Sequence, residues 1–76
     1  MQPVLIKYCR LFCNLSQKQL SELIGLDQSY ISKVEAGVIP ITTDTEQKLL
    51  KVFAGMGMDS ETILKVKQVL NEIKKG

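Results

Sequence analysis

The chain has no histidine and no tryptophan, and its 76 residues include only two cysteines, two prolines, two tyrosines and two phenylalanines. Without histidine it lacks the one side chain whose ordinary pKa lies near neutrality, and the commonest metal ligand with it. A zinc site on Cys9 and Cys13 would need two more suitable ligands, and the sequence supplies none. No cysteine stands near a base, and no carboxylates cluster in the manner of a metal site. A catalytic constellation therefore cannot be assembled, and no enzyme, metal or cofactor is expected. Charge of one sign is also scarce: ten Lys and Arg against eight Asp and Glu leave a net +2. That removes the strongly basic surface that most easily announces a nucleic-acid partner, without counting against such a partner. Long apolar runs are missing as well. Lys7 and Arg10 interrupt the apolar start, which rules out a membrane span, and nothing resembles a secretion signal, so a cytoplasmic location is expected by default.

What is there fits a single domain, 1–76, with a small core that is marginal unless it associates with itself or a partner. A second, ligand-sensing domain has no room, and no small-molecule ligand is expected. Residues Pro3 to Cys13 read as a first helix, with Pro3 tolerated in its opening turn and Asn14 suited to the left-handed backbone just past its end. Leu5, Ile6, Cys9 and Phe12 make its apolar stripe. Cys9 reads as a small core residue and Cys13 as a partly covered one in preference to redox handles, and a structural disulfide does not suit the cytoplasm.

The organising stretch is Ser16 to Gly37, SQKQLSELIGLDQSYISKVEAG. Ser16 and Gln19 have capping-box spacing, Leu20 and Ile24 share one face, and Gly25 stands where a positive φ is wanted. Asp27 can cap a second helix that turns Ile31 and Val34 inward. Gln28, Ser29, Ser32 and Lys33 lie on the opposite face, and Gly37 stops the helix. Two short helices joined by a tight corner, the second with a polar outer face, form a helix-turn-helix pattern over about residues 16–37.

Here the sequence resembles the phage-repressor and Cro-like (XRE-type) helix-turn-helix proteins, including short regulators of the restriction-modification controller type. The matching residues are Leu15, Ser16, Gln17, Leu20, Gly25, Ile31, Val34, Glu35 and Gly37, with Ile6 and Arg10 at the corresponding upstream offsets. The resemblance implies an all-α, compact five-helix, lambda-repressor-like DNA-binding domain. It also implies that Arg10 and Glu35 form an ion pair tying the first helix to the end of the recognition helix; the alternative is that both are ordinary solvated charges. Ser21 stands where the family usually has alanine, at the crossing of the two helices, and is small enough for that crossing to survive.

A helix fits the DNA major groove and reads base edges with exposed residues near its N-terminus. Gln28 can pair with adenine, Lys33 can donate to guanine, Ser29 can bond either way and Ser32 shares their face. Gln17, Lys18 and the amides opening the second helix suit a backbone phosphate, as do those of Thr42 and Thr43 at the next helix start. Tyr30 either packs beside Ile31 and Val34 or offers its hydroxyl to a phosphate. The structural alternative for the whole face is a merely solvated polar surface.

Beyond Gly37 the family pattern weakens. Many relatives carry lysine or arginine in the next loop, whereas VIPITT, Val38 to Thr43, is apolar and uncharged, although Pro40 does match. Losing those cations lowers counterion-release affinity and makes a dimer more necessary. Val38, Ile39 and Ile41 meet a partner or second copy, or pack against the last helices. A fourth helix is expected from about Asp44 to Ala54, with Thr43 and Glu46 as a capping box and Leu49, Leu50 and Phe53 inward. GMGMDS then makes a corner, and a last helix starts at Asp59 or Ser60 and ends near residue 74. Its stripe of Ile63, Val66, Leu70 and Ile73, with Val69 beside it, covers the core at one end and pairs two subunits at the other; Lys65, Lys67, Lys74 and Lys75 form a solvated face and tail. The sequence thus reads as a dimeric, repressor-type regulator of phage, mobile-element or restriction-modification kind, using the helix Gln28 to Ala36 on a near-palindromic duplex operator. The rival reading keeps the fold but directs it at a protein, as an antirepressor or regulator-binding subunit.

Overall fold

The computed structural model describes residues 1–75, with side chains through residue 73. Five helices follow one another: α1 (Pro3–Phe12), α2 (Gln17–Ile24), α3 (Gln28–Glu35), α4 (Thr43–Gly55) and α5 (Ser60–Lys75). The fold is all-α, as expected. α2 packs on both α3 and α4, and α1 packs on both α3 and α5. A stretch that opens and closes its helices so abruptly needs strong local stop signals.

One stop signal serves α1 to α4. Asn14, Gly25, Gly37 and Gly57 all have positive φ, between 57° and 92°. The residue after each donates its amide five positions back: Leu15 to Arg10, Leu26 to Ser21, Val38 to Lys33 and Met58 to Phe53, at 2.8–3.1 Å. This closure satisfies carbonyls that a helix end leaves open and folds the following apolar side chain back onto the helix. Leu15 and Leu26 accordingly pack against the core, and Met58 is fully buried within it. Val38 is the exception, staying 69% exposed.

The buried core draws Leu5, Ile6 and Cys9 from α1, Leu20 and Ile24 from α2, Ile31 and Val34 from α3, and Leu49 and Phe53 from α4. Met58 joins from the corner, and among the described side chains of α5 only Ile63 is buried. At about 1.5–3 kcal/mol for each large apolar side chain buried, α5 is the helix held by the least burial. Val66 and Leu70 pack against this core from the edge while Ile73 stands out in solvent.

Several expectations are corrected. α1 ends at Phe12, with Cys13 as its cap, and Phe12 is 67% exposed. The inward face of so short a helix is completed by Arg10, one position past Cys9, which leaves Phe12 pointing away. In α4 the buried stripe is Thr45, Leu49 and Phe53, four apart, and Leu50 lies off that stripe, exposed. The cap of α4 is Thr42, whose hydroxyl accepts the Thr45 amide at 3.2 Å. Thr43 already has helical backbone there, so it cannot be the cap; Glu46 instead meets the Met1 ammonium. Ile39 and Ile41 pack against the core and, with Met1, Pro3 and Val34, line one groove, which sets the loop beside α1 and α3. The solvated tail expected at Lys74 and Lys75 lies outside the described side chains.

Other expectations hold. The Ser16–Gln19 box is complete, with Ser16 Oγ accepting the Gln19 amide at 3.0 Å and Gln19 Oε1 accepting the Ser16 amide at 2.9 Å. Ser21 is buried, and its hydroxyl donates to the Lys18 carbonyl at 2.7 Å, so the crossing it sits in carries no unpaired polar group. Asp59 caps α5 by accepting the Thr62 amide at 2.9 Å. That bond holds its carboxyl below the usual carboxylate range.

Candidate nucleic-acid interface

α3 is the shortest piece of the fold along with α2, eight residues each, and it is amphipathic in the required sense. Ile31 and Val34 are buried against the core, whereas Gln28, Ser29, Ser32 and Lys33 are all exposed. At 100° per residue these four span an arc of roughly 140° opposite the buried pair. A row of one amide, two hydroxyls and one ammonium can donate and accept along the edges of base pairs.

What fixes this helix relative to the rest is a polar knot beneath its C-terminal end. Arg10 Nε donates to Glu35 Oε2 at 2.7 Å and Arg10 Nη2 to Glu35 Oε1 at 3.0 Å. The pairing is bidentate, and both side chains are less than a tenth exposed. Arg10 Nη1 donates to the Leu15 carbonyl at 2.8 Å, and Gln17 Nε2 donates to Glu35 Oε1 at 3.2 Å. One carboxylate thereby gathers α1, the start of α2 and the end of α3. Such an arrangement lets two charges stay buried, because three of the guanidinium's donors and three of the carboxylate's lone pairs are used.

The expected phosphate contacts are placed unevenly. Gln17 spends its side-chain donor inside the knot, so what it offers outward is its backbone amide. Together with that of Lys18 it opens α2 without an intrahelical acceptor. Lys18 itself is exposed. Asp27 stands at the cap position of α3 with extended backbone, yet its side chain makes no capping hydrogen bond. Its carboxylate remains in solvent, and the first amides of α3 stay open. Tyr30 is half-buried against the core and its hydroxyl donates to Thr45 Oγ1 at 3.4 Å, the packed arrangement of the two considered. Thr42 is engaged in capping, while Thr43 is exposed at the first turn of α4, where Asp44 adds negative charge.

Of the four residues expected between subunits, Ile63 belongs to the core, Val66 and Leu70 are half-buried, and Ile73 is 69% exposed. Sequence reasoning missed the neighbours that make a surface of them. Tyr8, Leu11 and Phe12 of α1 are exposed beside α5 and line a groove with it. Burial pushes the Cys9 thiol up to about 11, helped by the nearby Cys13, and burial also raises Cys13. Neither is a reactive thiolate at neutral pH. Among the described residues no three His, Cys, Asp or Glu side chains converge as a metal site requires, and no helix is long and apolar enough to cross a membrane.

Comparison with curated proteins and with solved structures gave no match. A family model described as helix-turn-helix, HTH_3, matches residues 6–55, from the middle of α1 to the last residue of α4. That span holds both ends of the Arg10–Glu35 pair, the capped turn and the polar face of α3, and on it the chain belongs to the XRE-type helix-turn-helix family of DNA-binding regulators.

Proposed function

We propose that the chain is a dimeric, repressor-type transcription regulator that lays α3 in the major groove of a near-palindromic operator. The observation that carries this is the pairing of an all-polar outer face, Gln28, Ser29, Ser32 and Lys33, with a buried knot at Arg10 and Glu35 that holds the helix rigid. A reading helix must present its donors in fixed positions, because discrimination between bases depends on bidentate geometry. Gln28, Ser29, Ser32 and Lys33 meet bases in this scheme; the amides of Gln17 and Lys18, the Lys18 ammonium and the start of α4 at Thr42 and Thr43 hold phosphates, with Tyr30 bracing α3 from below. Two copies place two such helices about 34 Å apart, one turn of DNA. The cationless loop makes each half-site weak, so occupancy depends on the dimer and rises steeply with protein concentration.

The test starts with a duplex selected from a random pool and compares it with a scrambled duplex by fluorescence anisotropy at two salt concentrations. Lys33→Ala and Gln28→Ala are each expected to cost about 1–3 kcal/mol on the selected duplex while leaving the melting temperature unchanged. Equal losses of binding and of stability would remove the base-reading assignment. The weak net charge and the exposed Val38 in an uncharged loop favour a second reading, in which the fold engages another regulator and not DNA. Failure to bind either duplex at low salt and about 10 μM protein, where even non-specific binders associate, would favour that one.

A further inference from the structure

An apolar groove of about 670 Å³ lies between α1 and α5, walled by Tyr8, Leu11 and Phe12 on one side and Val66, Val69 and Ile73 on the other. Five of these six are between 46% and 69% exposed. With its walls this exposed, nothing among the described residues closes it, and an isolated domain keeps such a surface in water only at a cost in solubility.

The charges that flank the groove say what fits there. Along α5 the groove-lining positions Thr62, Val66, Val69 and Ile73 are spaced four, three and four, the seam of a short coiled coil. Lys65 and Glu72 lie seven apart on one edge of that seam and are both exposed. If a second α5 ran parallel, Lys65 would face the partner's edge at the apolar position of Leu70 and gain no anion there. If it runs antiparallel, Val66 of one copy meets Val69 of the other, and Lys65 stands opposite Glu72 at both ends of the layer, because antiparallel pairing brings like edges of the seam together. Each copy then supplies one cation and one anion, so two ion pairs form by symmetry.

We infer that a second copy of this chain occupies the groove, with the two α5 helices antiparallel, the two Val66–Val69 layers at the centre, Lys65–Glu72 pairs on the flanks and Phe12 of each α1 as a side wall. This deepens the dimer part of the proposed function and is independent of whether α3 reads DNA. It moves the centre of the interface off Ile63, which the core consumes, and onto α1 and the middle of α5.

Sedimentation velocity on the full chain without DNA, at roughly 10–100 μM, where a standard-size interface associates, tests it. Lys65→Glu and Glu72→Lys each place like charges opposite one another twice per dimer and are expected to raise the dimer Kd about ten-fold; the double swap is expected to return it to within about three-fold of the parent. Net charge acting alone gives a different pattern, since Lys65→Glu lowers the +2 of the parent and would tighten association. The intrachain Lys65–Glu61 pair, 3.9 Å apart, is lost in Lys65→Glu and in the double swap alike and kept in Glu72→Lys, so recovery in the double over Lys65→Glu reports the contact between copies. A parent that stays monomeric, swaps that do not compensate, or a Lys65→Glu variant that dimerises more tightly each overturn the arrangement. Absence of DNA binding in the anisotropy experiment leaves it standing, which keeps the two failures apart.

Discussion

The two faces of α1 lead into opposite kinds of surroundings. Toward α3 and the core it presents Leu5, Ile6, Cys9 and Arg10, and all four are buried, the last in a bidentate pair with two further hydrogen bonds around it. Toward α5 it presents Tyr8, Leu11 and Phe12, and all three are exposed. The first side is closed by the chain itself, polar groups included. The second is apolar and left open, with a helix that commits one residue to the core. A domain this small has limited apolar surface to bury, and here it is concentrated where α3 must be held still; the remainder is left for association.

The largest effect should come from breaking the closed side. Arg10→Ala strands the Glu35 carboxylate in a site where it is 4% exposed, with the Gln17 side-chain amide still donating to it, and takes the Arg10 donor away from the Leu15 carbonyl. The expected loss is on the order of 3–5 kcal/mol. A chain of this length has about 4–11 kcal/mol in total, so the variant should lose a large share of its stability and melt far below the parent. A full-strength transition close to that of the parent in a thermal melt followed by circular dichroism would mean that the pair is solvated and that apolar packing alone positions α3.

Next in size is a pH effect from the same side. Burial and the neighbouring Cys13 raise Cys9 to about 11 from an ordinary 9.0. The unfolded chain gives up this proton first, so stability is intact below about pH 9 and falls as pH rises from there toward 11. Between pH 8 and pH 10.5 the loss is expected to be about 2 kcal/mol. Lysines titrate in the same window, so the informative measurement is the difference in urea unfolding between the parent and Cys9→Ala across that range. A constant difference at every pH would show that water reaches the thiol and that this side is less closed than its burial says.

Much of the closed side was legible in the sequence because its signals are local. A capping box, a residue with positive φ and a four-residue apolar repeat each act within one or two turns, and so Ser16, Gln19, Gly25, Leu20 and Ile24 were placed correctly. The Arg10–Glu35 pair spans 25 residues and came only through the family resemblance; no local rule brings those two side chains together. Thr45 and Met58 were missed, although Met58 had a readable signal: the apolar residue that follows a left-handed glycine is folded back by the same closure that buries Leu26. The cap at Thr42 was misplaced by one residue because Thr42 and Thr43 offer the same hydroxyl, and only backbone conformation distinguishes them. Phe12 was misassigned for a different reason. The repeat on α1 fits either Phe12 or Arg10 as its last inward member, and hydrophobicity favours Phe12. The buried carboxylate across the domain decides for Arg10, and that is a fact of tertiary structure.

The smallest expected effect tests the open side most directly. Phe12→Ser removes the largest apolar side chain of the α1 wall. Buried, that ring would make truncation cost about 3–5 kcal/mol, whereas a surface substitution away from any special contact stays within about ±0.5 kcal/mol. With Phe12 67% exposed, the second figure applies to the monomer. Urea unfolding has to be run dilute, because a dimer that binds only the folded state adds stability with concentration. Under dilute conditions the midpoint and the slope should both match the parent, while at high concentration the parent should gain stability that the variant does not. A loss of several kcal/mol even when dilute would mean that α5 swings over Phe12 in solution and closes the groove from within. The two faces of α1 would then be alike, and the surface assigned to a second copy would be filled by the chain's own last helix.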